Sequence, residues 1–312
     1  MSGPSVLVTG PVSAAERSQL TAAAPGLRLT FQDRPGSDPA ALAATDGLVG
    51  SPTLEDLSSA PRLRWVHSWA AGVDGVLVGG RLPQPFASGQ VLLTSAKGNG
   101  AVALAEHVML LLLVLSRDFP RWQRAQSLRR WDRYEHGELF GSRVGIIGAG
   151  RAGREVELRA RAFGMTVVGL RRHHARAELE DLLATSDALV VTAPATAETV
   201  GMLGEAEFAR CARRPYYVCV SRGGVADDDA LLRALRSGQL AGAGLDAHAV
   251  EPLPPDSPFW AEPNVVITPH NAATTAATRR RGLEILEHNL AAFAAGGPPG
   301  DFRGVVDVDG GY

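Results

Sequence analysis

Residues 143–153 read RVGIIGAGRAG, and this stretch decides the fold of the chain around it. Its first part, Arg143–Ile147, is a short apolar run that indicates a buried β-strand, and a helix is predicted from Arg154 to Phe163 directly behind it. Between them the glycines follow the pattern G-x-G-x-x-G. A strand, a glycine turn and a helix in this order are typical of the first βαβ unit of a doubly wound parallel sheet.

The glycine turn also predicts what binds there. Its glycines let a pyrophosphate approach the backbone at a helix N-terminus, where unpaired N–H groups and the helix dipole favour an anion. In a chain with 35 glycines the pattern alone is weak, but the flanking strand and helix make dinucleotide binding the stronger interpretation. We expect cofactor contacts from Gly148, Gly150, Arg151, Ala152 and Gly153.

Beyond this unit, short β-branched runs alternate with alanine-rich stretches along most of the chain, which is typical of α/β folds with parallel sheets. Five strands are predicted in the first hundred residues, and six from Arg143 onward that are apolar enough to be buried on both faces. The first five are Ser5–Thr9, Leu27–Phe31, Gly47–Val49, Leu63–His67 and Val91–Thr94, and the later six begin at Arg143, Thr166, Ala188, Tyr216, Ala243 and Val265. A further helix is predicted from Thr275 to Ala295.

The composition is that of an ordinary globular chain. With 312 residues, 45% of them hydrophobic and 21% charged, it has the length of two domains and gives no sign of disorder. The formal net charge of −2 provides no overall attraction to nucleic acid or to an anionic membrane, so we expect neither as a partner.

Cys211 and Cys219 show no disulfide or metal-ligand spacing, and the N-terminus shows no secretion signal, so we expect a cytoplasmic protein without a bound metal. The longest apolar run, Val102–Ser116, is too short to span a bilayer, and we interpret it as a buried helix.

Three polar residues follow the later strands. Arg222 lies in SRGG after the strand that begins at Tyr216, Glu251 lies in AHAVEPLP, and His270 ends VVITPH. Because the carboxyl ends of parallel strands share one edge of a sheet, we expect these side chains on the edge where doubly wound sheets bind ligands. An arginine can pair with a substrate carboxylate, and a histidine beside a carboxylate suits general acid–base chemistry. Taken alone, Arg222 would be a surface arginine in an arginine-rich chain.

Taken together, VGIIGAGRAG, SRGGVADDDALLRAL, GAGLDAHAVEPLP, PNVVITPH and the upstream AAGVD resemble, in order and spacing, the motifs of the D-isomer-specific 2-hydroxyacid dehydrogenase family. The resemblance covers most of the chain. It implies that Arg222 binds the carboxylate of a keto acid, that His270 donates the proton during reduction, and that Glu251 orients and charges His270. It also implies substrate contacts from Ala71, Gly72 and Val73, and cofactor contacts from Ala193, Pro194, Val220, Ser221 and Asp246, the last near the nicotinamide carboxamide.

The family resemblance also implies the layout of the chain. A Rossmann cofactor domain at residues 98–271 is inserted into a flavodoxin-like substrate domain made of residues 1–97 and 272–312. The apolar helix Val102–Ser116 resembles the one that such enzymes use to form homodimers, although a helix buried inside one domain would also explain it. His248, where the family usually has an aromatic residue, and Cys219, where it often has asparagine, depart from the pattern outside the three catalytic positions.

We therefore expect an NAD(P)-dependent enzyme that interconverts a short 2-keto acid, such as glyoxylate or hydroxypyruvate, and its D-2-hydroxy acid. The competing interpretation is a non-enzymatic dinucleotide sensor, since a transcriptional corepressor shares the fold. A formate dehydrogenase is disfavoured because that relative typically has glutamine at the position of Glu251. A phosphoglycerate dehydrogenase is disfavoured except in its short form.

The sequence also predicts which nicotinamide cofactor binds. In NAD-selective folds an acid about 20 residues beyond the glycine turn pairs with the ribose 2′-hydroxyl, whereas an arginine there accommodates a 2′-phosphate. Arg171 stands 21 residues after Gly150, Arg172 follows it, and no acid lies between Thr166 and Ala177. We expect NADP(H) to be preferred and NAD(H) to be possible, with both arginines binding the 2′-phosphate. The alternative is an exposed arginine pair, since all but one of the 31 basic residues are arginines.

Overall fold

The computed structural model describes residues 3–78 and 81–308. The chain divides into two compact units: one contains the described residues up to Asn99 and those from Thr275 onward, and the other runs from Gly100 to Thr274. Each unit is built on a parallel β-sheet with helices packed against it, so the predicted fold class is confirmed. Within the described residues, no helix is both long and apolar enough to cross a membrane.

The first unit contains a five-stranded parallel sheet in the order β2-β1-β3-β4-β5. This is the flavodoxin-like order. Its strands are β1 Ser5–Thr9, β2 Arg28–Gln32, β3 Gly47–Val49, β4 Trp65–Ser68 and β5 Leu92–Ser95. Its helices include α1 Ala14–Ala23, α2 Pro39–Ala43, α3 Leu54–Ser58, α4 Gln84–Ala87 and, from the end of the chain, α11 Ala276–Ala294.

The apolar core of the first unit lies on both faces of its sheet. Successive residues of β1 point to opposite faces, so Val6 belongs to one cluster and Leu7 to the other. The cluster around Val6 includes Trp65 of β4 and Leu286 and Leu290 of α11, all of them buried. The last long helix of the chain therefore completes the core of this unit.

The second unit contains a six-stranded parallel sheet in the order β7-β6-β8-β9-β10-β11. Its strands are β6 Arg143–Ile147, β7 Thr166–Leu170, β8 Ala188–Val191, β9 Tyr216–Cys219, β10 Gly242–Leu245 and β11 Val265–Ile267. Its helices are α5 Ala101–Ser116, α6 Phe119–Ser127, α7 Arg151–Ala162, α8 Arg176–Thr185, α9 Glu205–Phe208 and α10 Asp228–Arg236. The chain reverses direction across the sheet between β6 and β8, which is where a doubly wound fold binds ligands.

Two of these six strands are not buried on both faces, so that part of the prediction was wrong. β7 and β11 are the edges of the sheet; Thr166 and Gly169 of β7 are exposed, and β11 is half-buried throughout. Composition does not reveal an edge because edge position depends on strand order. The strands also end earlier than predicted, so that Pro194 and His270 lie in loops, and α7 begins at Arg151 rather than at position 154.

The apolar helix α5 packs inside the second unit. A Cβ atom placed on Gly244 of β10 would lie 3.0 Å from the Cβ of Leu111, so the helix rests directly on the sheet where that strand has no side chain. Val108 and Leu112 are fully buried, while Leu110 on the outer side is 52% exposed. Packing within one unit thus accounts for most of the apolar residues of α5.

Candidate active site

The glycine turn after β6 is held tightly against the loop that follows β8. Gly148 has φ +103°, and a Cβ atom there would lie 2.4 Å from the amide nitrogen of Ala193. The N–H groups of Gly148 and Ala149 both donate to the carbonyl oxygen of Leu170, at 3.0 and 2.7 Å. Both the backbone conformation and the close approach therefore require glycine at position 148.

Helix α7 begins directly behind this turn without a side-chain cap. Its N-cap residue is Gly150, and among the described residues no side-chain hydrogen bond caps the helix. A Cβ atom on Gly153 would lie 2.7 Å from the carbonyl oxygen of Gly148, so the helix start and the turn are in contact. Uncapped N–H groups and the positive end of the helix dipole fit the pyrophosphate of a dinucleotide.

The other predicted cofactor residues line the ends of the neighbouring strands. The N–H of Ala193 donates to Ile147 (3.0 Å), and the N–H of Val220 donates to Val191 (3.3 Å). The carbonyl oxygen of Pro194 accepts from the hydroxyl of Thr199 at 2.6 Å. These bonds hold the end of β8 beside the glycine turn of β6 and join the end of β9 to that of β8. The buried hydroxyl of Ser221, which follows Val220, has no hydrogen-bond partner among the described residues.

Arg222, Glu251 and His270 follow the carboxyl ends of β9, β10 and β11, three neighbouring strands of one sheet. The sheet therefore brings their loops to a single edge. Glu251 and His270 are in direct contact: the two carboxylate oxygens lie 2.8 and 3.0 Å from His270 Nδ1. Since an ionised carboxylate only accepts hydrogen bonds, Nδ1 carries a proton, and Nε2 is the nitrogen that can exchange a proton with a ligand.

Local hydrogen bonds keep Glu251 ionised. Partial burial acts to raise the pKa of this carboxyl, but the backbone N–H of His248, at 2.9 Å, and the ring of His270 outweigh burial and hold the pKa below its usual value. Glu251 thus carries a negative charge next to His270 at neutral pH. A negative neighbour stabilises the charged imidazolium, which is the form that donates a proton.

The backbone of His270 adopts the left-handed conformation, with φ +50°, which is uncommon for a residue with a side chain. Asp246 holds the loop in this shape. Its main-chain oxygen accepts from the N–H of His270 at 2.7 Å. Its fully buried carboxylate accepts three further hydrogen bonds, from the hydroxyl of Thr268 (2.6 Å) and the N–H groups of Asn271 (2.9 Å) and Ala272 (3.0 Å). Its proximity to a nicotinamide carboxamide stays a prediction.

Sequence reasoning missed one member of this network. His107 reaches from α5 to the same loop, where its Nε2 lies 3.0 Å from the hydroxyl of Thr268 and 3.7 Å from the carboxylate of Asp246. Because the Thr268 hydroxyl donates to Asp246 at 2.6 Å, His107 Nε2 is the donor to Thr268. Nothing in the spacing of these residues along the chain signals this contact.

Arg222 lies in a half-buried loop that packs on the chain leading to Glu251. A Cβ atom on Gly223 would lie 1.9 Å from the carbonyl carbon of His248, so the two loops touch through their backbones. The Arg222 guanidinium donates to the carbonyl oxygen of Ser221 at 2.7 Å, and the Arg222 carbonyl oxygen accepts from the thiol of Cys219. The glycine after Arg222 is therefore what allows the arginine loop and the Glu251 loop to lie side by side.

The loop after β7 carries the two arginines predicted to bind a 2′-phosphate. Arg171 is exposed, and its carbonyl oxygen lies 2.9 Å from a ring nitrogen of His174. Arg172 forms a two-pronged ion pair with Glu198, in which Nε and one terminal nitrogen each lie 3.0 Å from a carboxylate oxygen. Glu198 lies in the loop after β8, so the absence of an acid between positions 166 and 177 did not exclude an acid near these arginines.

The predicted substrate loop Ala71, Gly72 and Val73 lies in the first unit, after β4. The carbonyl oxygens of Ala71 and Gly72 accept from the hydroxyls of Ser95 (3.1 Å) and Ser68 (3.4 Å), and the carbonyl oxygen of Val73 accepts from the N–H of Val76 (2.9 Å). Each of the three carbonyl oxygens of the loop therefore accepts a hydrogen bond from within the first unit. Substrate binding by its N–H groups stays a prediction.

Comparison with protein families gives one match. The model of the D-isomer-specific 2-hydroxyacid dehydrogenase NAD-binding domain matches residues 109–272. A glyoxylate reductase from Korarchaeum cryptofilum is 34% identical over 261 residues, which are 78% of this chain and 77% of the relative. A glyoxylate/hydroxypyruvate reductase A from Serratia proteamaculans is 33% identical and covers 89% of this chain and 90% of the relative. A D-3-phosphoglycerate dehydrogenase from Mycobacterium bovis is 34% identical across the whole chain, which spans only 60% of that protein.

Solved structures resemble the chain over nearly its full length. An NADPH-dependent glyoxylate/hydroxypyruvate reductase from Sinorhizobium meliloti, in complex with NADP and sulfate, has a TM-score of 0.80 and 30% identity, covering 99% of this chain and all of the other. A 2-hydroxyacid dehydrogenase from Xanthobacter autotrophicus Py2, in complex with NADPH and MES, has a TM-score of 0.80 and 32% identity, covering both chains fully. A D-lactate dehydrogenase from Aquifex aeolicus, complexed with NAD and lactic acid, has a TM-score of 0.79 and 25% identity, covering 97% of this chain and 99% of the other.

Proposed function

Since the chain belongs to the D-isomer-specific 2-hydroxyacid dehydrogenase family, we propose that it reduces a short 2-keto acid of the glyoxylate or hydroxypyruvate type to the D-2-hydroxy acid. The observation that carries the proposal is the Glu251–His270 pair, 2.8 Å apart, on the sheet edge that also holds the Arg222 loop and the glycine turn. A protein that only binds a dinucleotide does not need an ionised carboxylate beside Nδ1 of a histidine, whereas a histidine that acts as a proton donor does.

Each polar residue then has a distinct part in the reaction. A nicotinamide cofactor, when bound, would supply the hydride that reduces the keto carbon and would itself be oxidised. The Arg222 guanidinium pairs with the substrate carboxylate through charge-assisted hydrogen bonds and fixes the orientation of the keto group. His270 delivers the proton on Nε2 to the keto oxygen as negative charge develops there, and Glu251 stabilises the imidazolium until the proton has left.

The cofactor is held by this chain's own backbone and by the loops after β7, β8 and β9. Gly148, Gly150 and Gly153 let the pyrophosphate approach the backbone, and the first turn of α7 at Arg151, Ala152 and Gly153, which has no side-chain cap, directs its backbone N–H groups to it. Ala193, Pro194, Val220 and Ser221 line the ends of the adjacent strands, and the partnerless buried hydroxyl of Ser221 supports a ligand contact there.

The preferred cofactor in this proposal is NADP(H). Arg171 and Arg172 follow the second strand of the cofactor-binding sheet, where a 2′-phosphate lies in NADP-binding members of this fold. The structures of the Sinorhizobium meliloti and Xanthobacter autotrophicus proteins contain NADP or NADPH, whereas that of the Aquifex aeolicus lactate dehydrogenase contains NAD. The two arginines therefore carry this part of the proposal.

The functional form in this proposal is a homodimer, in keeping with the family resemblance of α5. Apolar side chains are exposed along this part of the second unit: Leu110 on α5, then Leu128 and Trp131, which is 93% exposed. These exposed apolar side chains, which follow one another within 22 residues of the chain, are the feature that supports association in this proposal. Light scattering after gel filtration tests this part, and a monomer at micromolar concentration contradicts it.

The deciding experiment is a panel of 2-keto acids assayed with NADPH and with NADH by the absorbance of the reduced nicotinamide. We expect turnover of glyoxylate or hydroxypyruvate, a higher kcat/KM with NADPH, and a narrowed or reversed preference in Arg171→Asp. Phosphohydroxypyruvate belongs in the panel because phosphoglycerate dehydrogenases are among the relatives. Dinucleotide binding without turnover of any keto acid would instead favour a dinucleotide sensor.

A further inference from the structure

The Arg172–Glu198 ion pair joins two loops of the proposed cofactor site. Arg172 lies two residues beyond β7, and Glu198 lies in the loop that follows β8 and contains Pro194. The pair has two hydrogen bonds: Nε and one terminal nitrogen of the guanidinium each lie 3.0 Å from a different oxygen of the carboxylate. The side chains are 33% and 54% exposed, so the pair is open to solvent and to a ligand.

The loop that carries Glu198 is held in shape by two threonines. The hydroxyl of Thr199 donates to the carbonyl oxygen of Pro194 (2.6 Å) and accepts from the N–H of Thr196 (2.8 Å). The N–H of Glu198 itself donates to the hydroxyl of Thr196 at 3.3 Å. Glu198 is therefore presented to Arg172 by an ordered turn.

Glu198 also stays charged at neutral pH. The hydrogen bond from Arg172 outweighs the small desolvation of the carboxyl and lowers its pKa below the usual value. A fixed negative charge thus occupies one side of the loop where we place a 2′-phosphate. A phosphate with a charge near −2 and this carboxylate compete for the same guanidinium fork.

We propose that Glu198 is a specificity-determining residue that weakens binding of the 2′-phosphate and so limits the preference for NADP(H) over NAD(H). This inference rests on the proposed role of Arg171 and Arg172. A cofactor without the 2′-phosphate leaves the Arg172–Glu198 pair intact, whereas one with it must displace or share the carboxylate. Removing the charge of Glu198 therefore favours only the phosphorylated cofactor.

The test uses Glu198→Gln, which keeps the size and the hydrogen-bonding oxygen of the side chain. Binding of 2′,5′-ADP and of 5′-AMP is measured by calorimetry, because these two probes differ only in the 2′-phosphate. We expect 2′,5′-ADP to bind about two- to fivefold more tightly to the variant, the usual range for releasing an exposed ion pair, with 5′-AMP unchanged. The KM for NADPH falls in the same proportion, while kcat and the KM for NADH do not move.

Glu157→Gln is the matched control. Glu157 pairs with Arg161 on α7, where two guanidinium nitrogens donate to one carboxylate oxygen at 3.1 and 2.8 Å, and its substitution changes the net charge equally. We expect both probes to bind this variant like the parent. In an Arg172→Gln background the gain from Glu198→Gln disappears, because no guanidinium remains to be released.

Three results would overturn the inference. Weaker binding of 2′,5′-ADP by Glu198→Gln would make Glu198 a positioning residue for Arg172. Equal changes for both probes, or in the Glu157→Gln control, would make the effect one of net charge. If the parent protein binds 2′,5′-ADP no better than 5′-AMP, the proposed role of the two arginines is wrong. This comparison needs no variant, so it separates failure of that role from failure of the Glu198 inference.

Discussion

The two sheets of the molecule begin with the same strand–glycine turn–helix arrangement, but the side chains around the two turns differ. In each, the first strand is followed by a glycine with φ near +100°, Gly10 after β1 and Gly148 after β6, and then by a helix, α1 or α7. The strand orders also match over five strands, since β2-β1-β3-β4-β5 repeats as β7-β6-β8-β9-β10. By topology alone, both turns lie where a doubly wound sheet binds a ligand.

The chemistry of the turns separates them. Ser13 caps α1 in a reciprocal capping box with Glu16, and Arg279 pairs with the same carboxylate at 2.5 and 2.9 Å. The hydrogen bond from Arg279 lowers the pKa of Glu16 to about 2, so a negative charge is fixed at the start of that helix. Helix α7 has a glycine in place of the cap and no such acid. An anion thus finds unsatisfied N–H groups at one turn and a carboxylate at the other.

Two histidines show the same contrast. His270 is 40% exposed and faces Glu251 at 2.8 Å, whereas His67 on β4 is fully buried among the hydroxyl of Thr94 and the amide of Asn289, with no bonding partner for Nε2 among the described residues. Burial lowers the pKa of His67 to about 3. One ring is placed to exchange protons and the other is kept neutral inside a core.

The largest expected effect is on turnover and belongs to His270 alone. His270→Ala is expected to lower kcat of keto acid reduction by about 10²–10⁴-fold, the usual contribution of a positioned general acid. Steady-state kinetics with saturating reduced cofactor measure this change. His67→Asn serves as the control, and we expect its kcat to stay near that of the parent; similar losses in both variants would mean that the His270 effect is structural.

The second effect compares the two turn glycines. Gly10→Ala is expected to destabilise the protein by about 1–3 kcal/mol through backbone strain, since the nearest atom to its new Cβ would be Trp69 Nε1 at 3.6 Å. Gly148→Ala has the same strain and also drives a methyl group to 2.4 Å from the Ala193 nitrogen, which adds about 1–3 kcal/mol of overpacking. Urea unfolding measures both variants. Equal losses would contradict the close contact between the glycine turn and the β8 loop.

The third effect is a pH dependence of stability from His67. Its pKa is about 3 in the folded state against 6.5 for an ordinary histidine, so below pH 6.5 the unfolded chain takes up a proton that the folded chain does not. Folding stability is therefore lost as the pH falls from 6.5 toward 3, by at most about 1.4 kcal/mol per pH unit for this one group. We expect His67→Asn to have a shallower slope in that window than the parent, with the exposed His136→Asn as control. Parallel slopes for His67→Asn and the parent would exclude His67 as the source.

The smallest expected effect is on turnover and comes from Glu251. The carboxylate holds the ring of His270 through Nδ1 at 2.8 Å, and a hydrogen bond to a charged group is worth about 1–1.5 kcal/mol more than a neutral one. Glu251→Gln is therefore expected to lower kcat of keto acid reduction by about tenfold, measured by steady-state kinetics with saturating reduced cofactor. Glu262→Gln, which removes a carboxylate paired with Arg236 instead, provides the control; an unchanged kcat in Glu251→Gln would refute the coupling.

Much of the fold and part of the candidate site could be predicted because they depend on neighbours in the sequence. The glycine turn at Gly148 and the helix behind it follow from local backbone chemistry, and so do most strands, whose starts agree with the structure to within about two residues. The positions of Arg222, Glu251 and His270 after three strands are equally local. That these strands are parallel neighbours is a rule of α/β folds, and it puts the three loops on one edge.

The contacts between loops that are distant in the chain were decided only by the tertiary structure. Glu198 meets Arg172 because β8 and β7 flank β6, and no count of acids near position 171 reveals that. His107 meets the loop of His270 because Gly244 lets α5 lie directly on β10. Local sequence determines which backbone shapes and which functional groups each loop has. Strand order and helix packing determine which loops meet, and therefore which charges those groups face.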